Sequence, residues 1–478
     1  MDRREFVRIV GTAWAGSTVA SASRSCASAA PAGRKPNLVL IFVDDLGYGD
    51  PGCYGGRSIP TPNIDRLARE GVRFTDGYVT SPVCGPSRLG LLTGAYQQRF
   101  GCLWNHDLWP QFGLKIPASQ KLLPQALKAA GYATGHVGKW NITTDPTPYV
   151  DEAHEVMCWK GAYYPDEKGT YLGVNGPGFR MEPHGWGPPR KGAEYLTDRL
   201  TRRAVSFIER HRSRPFFLYL AYNAPHTPLQ ADRKYDKQFA GLDEPNRLYA
   251  GMVAALDENI GRVLDKLQAA GLANNTLVAF VSDNGPARGS AYLKGWHDNW
   301  PKQTLLGSAG LLNGHKAQHY EGGIRVPFLL RWLGRLKAGQ VFRKPAITLD
   351  LYPTFLAAAG ASPTPSTHLD GVDLLPYLTG AKAGSPHQRL FWKSHHGGAI
   401  REGDWKLVIE ATGKTRLFDL RADVGEKRDL AAEKPDVARR LHAAWKAWSA
   451  PMPPSARDVA ESKRKSRGRA TKPKSPTR

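Results

Sequence analysis

Cysteine is scarce, with five in 478 residues, at Cys26, Cys53, Cys84, Cys102 and Cys158, and no two of them are spaced Cys-x-x-Cys. That excludes a disulfide-dense scaffold and a thiolate zinc site, because both need several closely spaced sulfurs. The count is compatible with one disulfide, drawn from Cys53, Cys102 and Cys158, and leaves at least one cysteine over. Long apolar runs are missing as well. The nearest approach, Ile9 to Ala20, is short and diluted with Gly, Ser and Thr, so no permanent membrane span is expected. Acidic residues are in deficit: 43 Asp and Glu stand against 66 Lys and Arg, a formal net charge of +23. Nearly half of that excess lies in residues 1–35 and 456–478. The body between them is only moderately basic. It suits electrostatic steering of an anionic substrate or a solvated surface, and it gives no reason to expect nucleic acid as a partner.

What is present begins with Asp2-Arg3-Arg4-Glu5-Phe6-Val7-Arg8, followed by the weak apolar stretch and an Ala/Ser run to Ala32. This order is that of a twin-arginine export signal over residues 1–32, and it predicts a periplasmic or secreted destination. Ser23-Arg24-Ser25 before Cys26 makes a poor lipobox. With 41% hydrophobic residues the chain can bury a large core, and residues 36–375 read as a large domain with a smaller one over 385–451. The end, 456–478, is too polar to pack and is expected to be disordered.

From Pro36 onward, short β-branched or aromatic runs alternate with amphipathic helical segments, the pattern of an α/β protein. The expected fold is a large, mostly parallel sheet flanked by helices, with a smaller C-terminal antiparallel sheet plus one helix. Four apolar runs lead into polar residues. Leu38–Val43 is followed by Asp44-Asp45, Tyr132–Val137 by Gly138-Lys139, Phe216–Tyr222 by His226, and Thr276–Ser282 by Asp283-Asn284. Near-continuous apolar runs belong to strands buried on both faces, and ligands bind beyond the carboxyl ends of such strands. The polar residues should therefore converge. Helices are expected after Thr61-Pro62-Asn63, over Ser119–Ala130, Tyr195–Arg210 and Asn246–Ala270, and, after a four-strand meander, over Pro435–Trp448.

Asp44, Asp45, Asp283 and Asn284 offer only hard oxygen donors, the ligand set of Ca²⁺ or Mg²⁺ rather than of zinc or copper. Cys84 precedes Gly85-Pro86-Ser87-Arg88. Pro86 and Ser87 suit the first turn of a helix, which places Cys84 at a positive helix end and near Arg88, a setting for an anionic nucleophile or a bound oxyanion.

Cys84-Gly85-Pro86-Ser87-Arg88 with Leu92-Thr93-Gly94 resembles the signature of the type I sulfatases, members of the alkaline-phosphatase-like superfamily. Further blocks resemble that family in its order: Asp44-Asp45-Leu46-Gly47-Tyr48-Gly49, Thr61-Pro62-Asn63-Ile64-Asp65, Gly138-Lys139-Trp140, Ala224-Pro225-His226-Thr227-Pro228, Ser282-Asp283-Asn284-Gly285, and Lys316 before Tyr320-Glu321-Gly322-Gly323. The resemblance covers about Pro36 to Pro451. It implies a sulfuric ester hydrolase acting on a sulfated small molecule or polysaccharide, with Cys84 oxidised to formylglycine by a formylglycine-generating enzyme. It also implies one cation, usually calcium, held by Asp44, Asp45, Asp283 and Asn284 together with residue 84, with magnesium as the alternative. Arg88 and Lys139 would orient the formylglycine, and His226 and Lys316 would bind sulfate and supply a proton to the leaving oxygen. One hydroxyl of the hydrated formylglycine would attack sulfur, and the other would then collapse to expel sulfate.

One position departs from the family. His commonly stands two residues after the lysine of the Gly-Lys-Trp block, where it helps deprotonate the hydroxyl, and here Asn141 occupies it. An amide does not accept a proton usefully at neutral pH. His136 and His106 are the candidate substitutes, and the alternative functions are a phosphonate or phosphate diester hydrolase and a sulfated-glycan-binding protein impaired in turnover. Sugar-reading residues are expected in the loop Tyr163–Pro189, in Ser290–Gly310 with Trp296 and His297, and at His395-His396.

Overall fold

The computed structural model describes residues 34–142, 145–157, 162–166, 170–171, 185–187, 192–288 and 305–470. The expected export signal, Cys26, Cys158, Trp296 and His297 lie outside them.

Among the described residues the main sheet has eight strands: β1 (Asn37–Val43), β2 (Val72–Phe74), β3 (Ala133–Lys139), β4 (Glu152–Met157), β5 (Phe216–Ala221), β6 (Thr276–Ser282), β7 (Phe328–Arg331) and β8 (Gln340–Phe342). Their order is β8-β2-β7-β6-β1-β5-β3-β4. The run from β6 through β1, β5 and β3 to β4 is parallel, and β7 enters antiparallel to both β6 and β2. The four apolar runs singled out in the sequence are thus the four adjacent central strands β6-β1-β5-β3. Alternation along β1 serves two cores: Leu38, Leu40 and Phe42 face one side, Val39, Ile41 and Val43 the other. The first side is covered by α2 (Cys84–Thr93) and α3 (Leu123–Ala129), the second by α1 (Pro62–Glu70), α4 (Leu196–Arg210) and α5 (Glu244–Ala269).

Two local details refine the sequence reading. Thr61 does precede α1, but its side chain makes no capping bond. Asp257 of α5 accepts instead from the Asn63 and Ile64 backbone N–H groups, at 3.1 and 2.8 Å, so the helix start is satisfied by a carboxylate far away in sequence. Residues 456–470 form a helix, Ala456–Ala470, within the segment expected to be disordered. Its start is tied down because Ala456 N–H donates to Gly101 O at 2.9 Å and Arg457 N–H to Asp107 Oδ1 at 3.3 Å.

The C-terminal meander runs β9 (Arg389–Ser394), β10 (Gly397–Glu402), β11 (Trp405–Glu410) and β12 (Thr415–Asp419), antiparallel in sequence order. Helix α6 (Pro435–Ser449) covers one face through Leu441, while Leu390, Trp392, Ala399 and Val408 extend the core of the large sheet. Buried charge adds to this seam. Lys406 sits 2.8 Å from Glu321 and 2.9 Å from Glu426, all three side chains fully buried.

Candidate active site

The carboxyl ends of β1, β5, β3 and β6 bring Asp44, Asp45, Lys139, His226, Asp283 and Asn284 to one place, and Cys84, Arg88 and Lys316 join them. None of these nine residues is more than 5% exposed. Buried charge is stable only when paired or bound to an ion, and the pairing here is dense. Lys139 Nζ donates to Asp44 Oδ2 in a short contact. Arg88 donates through Nη2 to Asp283 Oδ2 at 2.8 Å, and through Nη1 to Lys139 O at 3.0 Å and to the Tyr219 hydroxyl at 3.3 Å. Lys316 Nζ donates to Asp45 Oδ1 at 2.6 Å, and Asn284 Nδ2 donates to the same oxygen at 2.7 Å. Asp45 adopts φ +69°, a left-handed conformation uncommon outside glycine. Its backbone N–H donates to Asp283 Oδ1 at 3.2 Å, which holds the two segments together.

Three buried oxygens are left over. Asp44 Oδ1, Asp45 Oδ2 and Asn284 Oδ1 have no hydrogen-bond donor among the described residues. Carboxylate oxygens of Asp44, Asp45 and Asp283 also lie within 4.8 Å of one another. An orphaned, all-oxygen set of this kind fits a hard divalent cation and is costly without one. The titration behaviour has the same cause. Burial and the nearby Asp44 charge push the Asp283 carboxyl up, against Arg88 and Lys139. Burial would also raise Asp44, but Lys139 above all, with His226 and Arg88, holds it well below the carboxylate range. Three carboxylates balance Arg88, Lys139 and Lys316, so a bound divalent cation leaves the centre positive and receptive to an anion.

Cys84 opens α2 at the floor of this centre. Burial pushes its thiol above the ordinary value, with Lys139 and Lys316 acting only partly against it, so the side chain is a protonated thiol at neutral pH rather than a thiolate nucleophile. A His226 ring nitrogen, an Asp44 carboxylate oxygen and Cys84 Sγ lie within 4.8 Å of one another, and His226 Nε2 stands 3.6 Å from Asp45 Oδ2. The His226 Nδ1 faces Thr227 O at 2.6 Å. A carbonyl only accepts, so Nδ1 carries the hydrogen and Nε2 turns its lone pair toward the centre. Burial, then Lys316, lowers its pKa to about 3.

Sequence reasoning missed Asn105. Its Oδ1 accepts from Gly85 N–H at 2.9 Å and its Nδ2 reaches Cys84 Sγ at 4.0 Å. No pattern marks this isolated turn, which only the fold brings to residue 84. Asn141, at φ +54°, approaches Gly85 from the same side as Asn105: a Cβ there would lie 3.0 Å from Asn105 Oδ1 and 3.1 Å from Asn141 Nδ2. Neither histidine suggested as a substitute faces Cys84. His136 is buried against the Trp140 and Tyr219 rings, with Nε2 3.0 Å from Gly138 O. His106 stacks near His395, ring centroids 5.0 Å apart, beside Asp107. His396 packs on Trp104 at 4.5 Å, next to Asn105, so the β9–β10 turn does border the site. Tyr163 supports rather than faces it, its hydroxyl donating to Asn223 O and His226 O at 2.9 and 2.8 Å. Cys53, Cys84 and Cys102 are free thiols.

Comparison with known proteins places this arrangement. The model of the Sulfatase family matches residues 36–361. Human arylsulfatase A is 34% identical, with 85% of this chain and 86% of that protein covered. Human N-acetylgalactosamine-6-sulfatase is 37% identical over 74% of this chain and 67% of its own. Among solved structures, Ps i-CgsB in complex with k-i-k-neocarrahexaose superposes with a TM-score of 0.73 at 33% identity, covering 88% of this chain and 94% of that one. The phosphonate monoester hydrolase of Agrobacterium radiobacter, at 21% identity and a TM-score of 0.65, shares the fold.

Proposed function

This chain belongs to the sulfatase family, the hydrolases of sulfuric esters, and on that footing we propose that it cleaves sulfate from a sulfated carbohydrate or aryl ester with residue 84 present as formylglycine and one calcium ion beside it. The observation that supports this most is the trio of orphaned oxygens on Asp44, Asp45 and Asn284 next to Cys84. These residues, with Asp283, would hold the ion, which when bound supplies positive charge for the sulfate oxygens. The formylglycine, when hydrated, supplies one hydroxyl to attack sulfur and a second whose proton must leave before sulfate is released. Cys84 Sγ marks where those oxygens would lie.

The side chains of the chain itself divide the remaining work. Lys139 and Arg88, fixed through Asp44 and Asp283, present cationic hydrogen-bond donors toward residue 84. Lys316, an ammonium steadied by Asp45, donates the proton that the departing alcohol needs. His226, with its ring turned toward residue 84, accepts the proton during sulfate release, the negative charge of the sulfate group bound beside it restoring the basicity that burial and Lys316 take away. That assignment fills the place left by Asn141, whose amide can only orient. The chain would leave the cytoplasm through the Arg3-Arg4 signal, after maturation by a formylglycine-generating enzyme. The sugar-directed relatives named above support a sulfated saccharide as substrate.

The test compares 4-nitrophenyl sulfate with bis(4-nitrophenyl) phosphate on the matured protein, before and after removal of divalent ions by a chelator. The sulfate ester should turn over faster, and calcium should restore the activity that the chelator removes. Preference for the phosphodiester, or indifference to chelation, would overturn the proposal.

A further inference from the structure

A second cavity lies apart from the catalytic centre. It measures about 1140 Å³, and none of the nine residues gathered around Cys84 lines it. Its walls come from the segment after β1 (Tyr48 to Ile59), from Thr75-Asp76 after β2, from Arg343 after β8, and from the far turns of the meander, Asp404 and Arg421. Phe74 and Phe328, beside Tyr54 in this wall, belong to the end of the sheet at which Asp283 emerges, since Phe328 pairs with Val281. The cavity therefore opens on the same end of the sheet as the catalytic centre. The β8 edge stands three strands from β6, about 14 Å at normal strand spacing.

Five arginines and no lysine line the cavity. Two are committed to the fold: Arg325 and Arg401 both pair with Asp76, at 3.3 and 2.6 Å. Asp50 is also spoken for, accepting from Gly47 N–H, Ser308 N–H and the Tyr249 hydroxyl. Arg57, Arg343 and Arg421 are different. They are exposed and have no ion pair or side-chain hydrogen bond among the described residues, and the one carboxylate left in the lining to oppose them is Asp404. Guanidinium groups bind sulfate and carboxylate oxygens through two parallel N–H donors. Three of them approaching one large concavity from three separate segments form a surface for several anionic groups in a row rather than for a single ion.

We propose that this arginine-lined cleft is a remote binding site for the sulfate or carboxylate groups of a polyanionic saccharide chain whose scissile ester sits at residue 84. The proposal rests on the sulfatase reading above for the position of the scissile group, but the cleft itself can be measured without turnover. It makes the substrate a multiply sulfated chain rather than a small aryl ester.

The deciding variant is Arg57→Ala/Arg343→Ala/Arg421→Ala, made in the full chain, with Lys344→Ala as an exposed control outside the lining. Binding of a dextran sulfate oligosaccharide is measured by calorimetry in a Cys84→Ala background, so that nothing is hydrolysed. The triple variant should bind at least about tenfold more weakly and with a shallower salt dependence, as loss of three exposed charge contacts predicts. The control should be unchanged. With Cys84 intact, kcat/KM for 4-nitrophenyl sulfate should stay within about twofold, because a small ester does not reach the cleft. Unchanged oligosaccharide binding in the triple variant overturns the proposal. So does an equal loss in the Lys344→Ala control, or full displacement of the oligosaccharide by equimolar inorganic sulfate, which would make the cleft a small-anion site. Failure of the matured wild type to hydrolyse 4-nitrophenyl sulfate would instead count against the catalytic reading, and the binding arm would still decide the cleft.

Discussion

At residue 84 the surroundings work against an unmodified cysteine. Burial keeps the thiol protonated, and the neighbouring Asp44 and Asp283 reinforce that. In the proposed reaction the two proton-handling roles fall to different side chains, and kinetics can separate them. Lys316→Ala should slow release of the alcohol by about 100-fold or more for an alkyl sulfate, and much less for a nitrophenyl ester whose leaving oxygen needs little protonation. His226→Ala should leave the first step nearly intact, so that a burst of one equivalent of alcohol precedes a slow steady state. Rapid-quench measurement of both esters checks this. A burst in the Lys316 variant, or none in the His226 variant, would reverse the assignment. Several of these residues were legible one at a time: adjacent Asp44-Asp45 and Asp283-Asn284 at strand ends offer hard oxygen donors in their own chemistry, and the structure brings them together. Asn105 was not, because its contact with residue 84 spans 21 positions, across α2 and the chain that follows it.

At the scale of elements, the four central strands deliver the site because each ends in a polar residue at the same edge of one parallel sheet. Their continuous apolar runs made that readable in advance. The start of α1 was less readable. Thr61 has the right chemistry for a cap, yet Asp257 does the work from 194 positions away, a tertiary choice that no local pattern encodes. The joint between the two sheets depends on a buried cation of the same hidden kind. Lys406→Met removes a partner shared by Glu321 and Glu426 and should cost about 3 to 5 kcal/mol, because Glu426 is left buried without its cation while Glu321 keeps Arg325. Glu321 opens the turn Glu321–Ile324, soon after Lys316 in the chain, so activity should fall together with the melting temperature. Chemical denaturation and aryl sulfate assays on the same preparation test this, and a variant as stable as the parent would show that the cluster is dispensable.

Across the whole molecule, two sheets share one core through Trp392, whose indole N–H donates to Val79 O at 2.6 Å, so the smaller sheet is a fixed wall beside the catalytic one. A shift of composition toward Pro, Gly and Ser between about Ala358 and Ser385 was visible in the sequence and suggested a junction there. The fusion of the cores was not, since it depends on which face of each strand meets which neighbour. Part of the positive charge of the chain has a structural place, in three arginines lining a cleft and three cations beside Asp44, Asp45 and Asp283. The central claim concerns the side chain at residue 84. Mass spectrometry of the tryptic peptide carrying it, from protein that is active on aryl sulfate, should find that peptide about 18 mass units lighter than its cysteine form. An active preparation in which residue 84 is entirely cysteine would contradict the account.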